Sequence, residues 1–196
     1  IQKGSLPPAA TRAEQAVMFA SAEKWLNDRG YKRLSNCHWA KDIRERSMYN
    51  ILAKTGADVF PFGCGAGGFV GQYSTMQMRD LEKYITMIDE GKKPIMVMSG
   101  KSPYDEVHKK ISQNMEQGYL DLRGITAENP ELVQLEYILN IWLKNGLMRK
   151  GEVMYFQTQA GRFWQNNLTQ SLLECCEYIL SQGKIKEAKP MQGMSA

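Results

Sequence analysis

A chain of 196 residues, 43% of them hydrophobic, is long enough for one or two domains with a buried core. Its formal net charge of +4 is spread among acids and favours an anionic ligand or partner only slightly. No run of about 18 apolar residues occurs, so neither a transmembrane helix nor a membrane partner is expected, and four cysteines without a pairing pattern point to reduced thiols in a cytoplasmic protein.

Ile1 to Pro8, polar with paired prolines, reads as a linker or a severed loop. From Ala9 to Arg29 apolar residues recur at helical spacing; Thr11 is placed to cap, Glu14 to complete a capping box, and Gly30 to stop the helix. Tyr31 to Asn36 predicts a strand, an order that fits a late unit of a partial (β/α) barrel. Arg44 to Lys54 is open between helix and extended chain. Val59 to Phe62 reads as a short buried strand, placed at an edge by Pro61. Thr75 to Glu90 predicts an amphipathic helix with Met78, Leu81, Tyr84, Ile85 and Ile88 on one face and Gly91 as its stop. Pro94 to Met98 reads as an apolar strand.

A second module is expected from Ser99. Ser102 caps a helix that reaches about Gln117 and stops at Gly118, and Leu120 to Ile125 reads as an extended link. Asn129 caps a helix from Pro130 to Lys144, ended by Asn145-Gly146. Leu147-Met148 and Glu152 to Thr158 predict a hairpin turning at Arg149-Lys150-Gly151, and a last helix runs from about Ala160 to Ser181. The expected class is therefore α/β plus α+β. Residues 1–98 form the C-terminal strands and helices of a partial (β/α) barrel, residues 99–183 a mostly helical, winged-helix-like domain, and residues 184–196 a disordered tail.

The stretch from Leu34 to Phe69 carries more than periodicity. It holds Leu34-Ser-Asn-Cys-His-Trp-Ala-Lys-Asp42, then Arg44-Glu-Arg46, Tyr49-Asn50, and Asp58-Val-Phe-Pro-Phe-Gly-Cys-Gly-Ala-Gly-Gly-Phe69. Glycines leaving a buried strand let backbone approach a ligand, where α/β proteins place contacts, or they form a tight turn packed on a helix. This block, with Lys54-x-Gly-Ala-Asp58 and Gly161-Arg-Phe-Trp-x-Asn-Asn167, resembles the coproporphyrinogen-dehydrogenase-like branch of radical S-adenosylmethionine (SAM) enzymes. Within that branch it is most similar to the anaerobic haem-degrading methyltransferases, the anaerobilin synthases of haem utilisation.

The resemblance implies a parent enzyme that cleaves SAM reductively, forms a 5′-deoxyadenosyl radical, and uses it in a methyl transfer that opens the porphyrin ring and releases iron. Haem would be the substrate, SAM and a 4Fe–4S cluster the cofactors, and a flavodoxin or ferredoxin the electron donor. The same resemblance implies that backbone near Val59 to Phe62 contacts SAM; Phe60 and Phe62 wall the adenine or the porphyrin or belong to the barrel core, and Gly63, Gly65, Ala66, Gly67 and Gly68 are expected to continue the cofactor contact through backbone. One departure matters: members need Cys-x-x-x-Cys-x-x-Cys for a cluster with an open iron, and this chain has only Cys37, Cys64, Cys175 and Cys176. The chain is therefore expected to be the C-terminal portion of a longer enzyme, inactive alone and binding no cofactor or metal by itself.

His38, at the end of the predicted strand, is the candidate catalytic and substrate-binding residue; its ring can ligate iron, donate to a propionate or move a proton, or simply bond backbone. Arg44 and Arg46 either fork onto haem propionates or form a solvated cluster with Asp42 and Glu45. His108, among lysines, reads as a solvated helix residue, and Cys37 and Cys64 as packing thiols. The last helix carries Gln, Asn, Glu174 and Glu177 where a nucleic-acid reader needs Arg and Lys, so no nucleic-acid partner is expected. The alternatives are a haem-binding chaperone of the same branch, weakened by Gly67-Gly68 where such relatives carry His-Ser, and an oxygen-independent coproporphyrinogen III dehydrogenase. An incomplete sheet with an exposed edge would favour self-association.

Overall fold

The computed structural model describes residues 9–54 and 57–182; the expected linker 1–8 and tail 184–196 lie outside them. The chain divides into two compact units, residues 1–46 with 110–196, and residues 47–109.

The first unit opens with helix α1, Arg12–Asp28. Its capping box forms as the sequence predicts: Glu14 N donates to Thr11 Oγ1 at 3.3 Å while Thr11 N donates to Glu14 Oε2 at 2.6 Å. The chain leaves through Gly30 at φ +75°, a left-handed turn that glycine adopts freely. The strand expected at Tyr31 to Asn36 is cut to a two-residue hairpin arm and is no barrel strand. Lys32–Arg33 (β1) pairs antiparallel with Trp39–Ala40 (β2), because the polar run after Leu34 reverses the chain at once.

The unit resumes in helix α4, Asp105–Gln117, within which the second boundary falls. Strand β6 (Tyr119–Leu120) and helix α5 (Leu122–Thr126) replace the extended link expected at Leu120 to Ile125. Asp121 is the reason, since its carboxylate accepts from Gly124 N at 3.2 Å and caps a short helix. A 3₁₀ turn at Pro130–Leu135 leads into α6, Glu136–Lys144, and Asn129 makes no side-chain cap there. Strands β7 (Met148–Lys150) and β8 (Tyr155–Gln157) form a hairpin where one is expected, but it turns at 151–154, since Arg149 and Lys150, expected in the turn, pair with Phe156 and Tyr155; β6 joins it in a three-stranded antiparallel sheet of order β6-β8-β7. The last helix is broken at Trp164 into α7, Gln159–Phe163, and α8, Gln165–Ser181. Ile111, Met115, Leu120, Leu132, Leu139 and Leu172 are fully buried and form the centre of the core.

The second unit holds α2 (Met48–Lys54), β3 (Gly67–Val70), β4 (Tyr73–Gln77), α3 (Leu81–Asp89) and β5 (Ile95–Gly100). The three strands form an antiparallel sheet of order β3-β4-β5. The helix expected from Thr75 begins only at Leu81, where Asp80 caps it by accepting from Lys83 N at 3.0 Å. Residues before it are taken by β4, which pairs on both sides; ladder partners override the helical spacing there. The buried strand expected at Val59 to Phe62 reduces to one bridge, Val59 with Phe69. Pro61 has no N–H to extend it, and Phe60 and Phe62 are 62% and 88% exposed. All strand pairings among the described residues are antiparallel, so they do not make the parallel run of a (β/α) barrel. Among the described residues of this unit only Pro94 and Val107 are buried, and β5 is exposed along its whole length.

Candidate functional site

His38 sits where the first unit's hairpin closes. Leu34 N and Ser35 N both donate to His38 O, at 2.8 and 3.3 Å. Buried Ser35 then fixes the ring, with its Oγ hydrogen-bonded to His38 Nδ1 at 2.7 Å; the exposed Cys37 Sγ lies 3.6 Å from the same nitrogen. The strand-exit histidine is thus held by its neighbours in one orientation. Arg44 folds onto Asp42, Nη2 to Oδ2 at 2.6 Å and Nε to Oδ2 at 3.1 Å, both side chains in water. Those side-chain bonds, then one from Arg44 N, hold the Asp42 carboxyl below its ordinary range. Arg46 Nε donates to Ile43 O at 3.4 Å. Arg44 is thus paired locally with Asp42.

A cavity of about 540 Å³ opens in the same unit against α1, the hairpin and the α7–α8 junction, lined among others by Phe19, Asn36, Cys37, Trp39, Phe163 and Trp164. Glu23 and Arg162 also line it. Glu23, only 4% exposed, takes Arg162 Nε at 2.6 Å and Nη2 at 2.8 Å, with Gln159 Nε2 at 3.2 Å. Burial raises the Glu23 pKa, but these hydrogen bonds outweigh it and the carboxyl titrates below its ordinary value. Arg33, beside them, is pushed down by burial and by Arg162, against the pull of Glu23 and Glu116. Sequence reading passed over Glu23, although it stands seven residues after Ala16 and three after Ala20 on the helical stripe. A carboxylate on an otherwise apolar stripe is the signal for a buried partner.

In the second unit the glycine segment builds a turn. Gly63 and Gly65 have φ of +96° and +72°; Gly65 N donates to Met78 O at 2.8 Å and Ala66 N to Gly63 O at 3.2 Å. At Gly68 a Cβ would lie 2.3 Å from Val59 O, so only glycine lets the two segments meet. Val59 N and O both bond Phe69, at 2.7 and 2.9 Å. Beside this turn lies a cavity of about 310 Å³ lined by Tyr49, Leu52, Ala53, Ala57, Asp58, Val59, Phe60 and Phe62. His108 belongs to this unit too, and it is half-buried with its ring 6.3 Å from Tyr104, not solvated as the flanking lysines imply. Cys64 is exposed, its Sγ donating to Arg79 O at 3.3 Å.

No protein-family profile matches the chain. Over 179 residues, 91% of this chain, it is 33% identical to the anaerobilin synthase of Escherichia coli O157:H7. The chain is a relative of that anaerobilin synthase. It spans 39% of that relative's length. The fold agrees: a coproporphyrinogen III oxidase of Escherichia coli, HemN, described as a radical SAM enzyme, superposes with a TM-score of 0.62 at 15% identity, over 83% of this chain and 42% of that one.

Among radical SAM proteins the residues to test are those for the cluster and for SAM. Among the described residues no three His, Cys, Asp or Glu side chains converge as metal ligands do, so this part of the chain does not fit a cluster. SAM is a different case. The Gly65 and Ala66 amides are committed inside the turn, but the exposed Phe60 and Phe62 beside an apolar cavity are a surface on which an adenine ring fits. His38, Arg44 and Arg46 lie in one unit and Val59 to Gly68 in the other. No helix of the described residues is long and apolar enough to cross a membrane.

Proposed function

We propose that this chain is the C-terminal portion of a longer, cytoplasmic radical SAM methyltransferase that opens the haem porphyrin ring without oxygen and releases its iron. The observation that carries the reading is 33% identity to an anaerobilin synthase across 91% of the chain. In this proposal the parent holds a 4Fe–4S cluster outside this chain and receives electrons from a flavodoxin or ferredoxin; this chain alone binds neither cluster nor SAM and is inactive. When bound, SAM supplies the radical and methyl chemistry. Val59, Phe60 and Phe62 would face its adenine, while Gly63, Gly65, Ala66, Gly67 and Gly68 hold the turn that positions them. His38, steadied by Ser35, would meet the tetrapyrrole, and Arg44 and Arg46 its propionates.

We also propose the division at residue 98 and the winged-helix-like reading of 99–183. The second is supported by topology: α4, β6, two helical segments, then a hairpin whose second strand pairs with β6. Self-association through the free edge of β5 is likewise proposed. The test of function is anaerobic incubation of the full-length parent with haem, SAM and a reductant. Loss of the haem spectrum and a methylated linear tetrapyrrole by mass spectrometry support the reading; haem recovered intact from cluster-loaded enzyme overturns it.

A further inference from the structure

We infer that the aromatic cavity of the first unit is the receiving site for a planar ring bearing carboxylates, a tetrapyrrole; this deepens the proposed function and rests on it. The cavity's 540 Å³ lies in the range of small-molecule sites. Its walls bring Phe19 from α1, Trp39 from β2 and the adjacent Phe163 and Trp164 of the α7–α8 junction around one open space. Phe163 stands edge-on to Phe19 at 5.7 Å and to Trp164 at 5.2 Å, and all four residues are half-buried, not closed into the core. A flat ring seated among them would remove that aromatic surface from water.

The charges select what the ring carries. Arg162, the inner cation, is spent on Glu23 and on Gln157 O. Arg12, at the rim, has its guanidinium 5.6 Å from the Trp164 ring and donates only to a neutral partner, Gln15 Oε1 at 3.0 Å. No carboxylate pairs with it among the described residues. An arginine standing over an aromatic wall without an acid is suited to fork onto a ligand carboxylate. SAM, which carries a sulfonium cation, matches this charge pattern less well than a dicarboxylate ring. Cys37, exposed in the same wall, reports occupancy.

The probes are haemin and iron-free protoporphyrin, added to the 196-residue chain, with SAM as a separate arm. Alkylation of Cys37 by iodoacetamide is followed by mass spectrometry, and exposed Cys64 in the second unit is the internal control. Both rings should slow Cys37 labelling about tenfold or more at saturation and leave Cys64 unchanged, while SAM should protect neither. Arg12→Glu, an exposed change that a helix N-terminus tolerates, should weaken both rings about tenfold. Ring binding with Cys37 labelled at its free rate, an Arg12→Glu chain that binds as the native one does, or protection by SAM alone would each overturn the inference. A parent that turns haem over while haem leaves Cys37 unprotected defeats this site and leaves the proposed function standing.

Discussion

Arg162 grips Glu23 across 139 residues of sequence with two parallel hydrogen bonds, Nε to Oε1 at 2.6 Å and Nη2 to Oε2 at 2.8 Å. The pair ties helix α1 to α7, and its carboxylate side chain is only 5% exposed. Removing one member of such a pair leaves a buried charge alone, which typically costs about 3–5 kcal/mol. Arg162→Met should therefore lower unfolding free energy by about 3 kcal/mol in urea melts, since Arg162 itself is 22% exposed and some water reaches the site. The double variant Glu23→Leu with Arg162→Met should recover most of the loss. Equal losses in the single and double variants would show that packing, not the unpaired charge, sets the cost.

The same carboxyl predicts a pH dependence. Its folded pKa lies below its unfolded value, so its stabilisation is complete above about pH 4.3 and is lost as pH falls through the folded value. Glu23→Gln removes this titration while keeping the shape. The difference in unfolding free energy between native chain and Glu23→Gln should be constant from pH 7 to 5 and shrink in more acid solution. Parallel curves down to pH 3 would contradict the assignment.

What the sequence disclosed and what it hid divide along physical lines. Local chemistry was legible: the Thr11–Glu14 box, the Gly30 exit and the existence, though not the turn, of the hairpin before Thr158 depend on residues a few positions apart. At residues 75–77 the spacing suits a helix equally well, and only pairing with β3 and β5 decides for a strand. The Tyr31 strand shrank for the opposite reason, a turn at Ser35–Cys37 that reverses the chain. At the candidate site the motifs single out His38 and the glycines; the apolar stripe of α1 flags Glu23 as a residue needing a partner, but Arg162 lies too far away in sequence for local spacing to name it.

Adjacent glycines give a sharp contrast. A Cβ on Gly68 meets Val59 O at 2.3 Å and Pro61 Cδ at 2.6 Å, whereas one on Gly67 finds nothing nearer than 3.9 Å. Gly68→Ala should cost about 1–3 kcal/mol as the bridge to Val59 is forced apart, and Gly67→Ala less than about 0.5 kcal/mol. Thermal melts read both. If Gly67→Ala proves the more damaging, the turn is built differently.

Strand β5 should make the isolated chain self-associate. Ile95, Met96, Val97 and Met98 are 37–60% exposed, and the strand has a neighbour on one side only. Such an edge is a template for a second chain. Light scattering after size exclusion should show mass rising with concentration, and Val97→Lys should suppress it. A monomer at every concentration, or an unaffected Val97→Lys variant, would remove β5 from the account.

His38 should matter more to haem than His108 in the full-length parent. His38 is oriented by the 2.7 Å bond to Ser35 within the Leu34 to Phe69 block that carries the sequence resemblance, while His108 packs beside Tyr104 on a helix. Loss of an iron ligand or a charge-assisted hydrogen bond is worth about 1.5–3 kcal/mol, roughly ten- to a hundredfold in affinity. His38→Ala should show that loss in anaerobic haem titrations, and Ser35→Ala a smaller one, because the ring remains but is no longer steered. His108→Ala should leave haem affinity unchanged, although losing a half-buried ring will lower its melting temperature. The reverse ranking, with His108→Ala losing haem and His38→Ala behaving as the native enzyme, would move the substrate to the second unit.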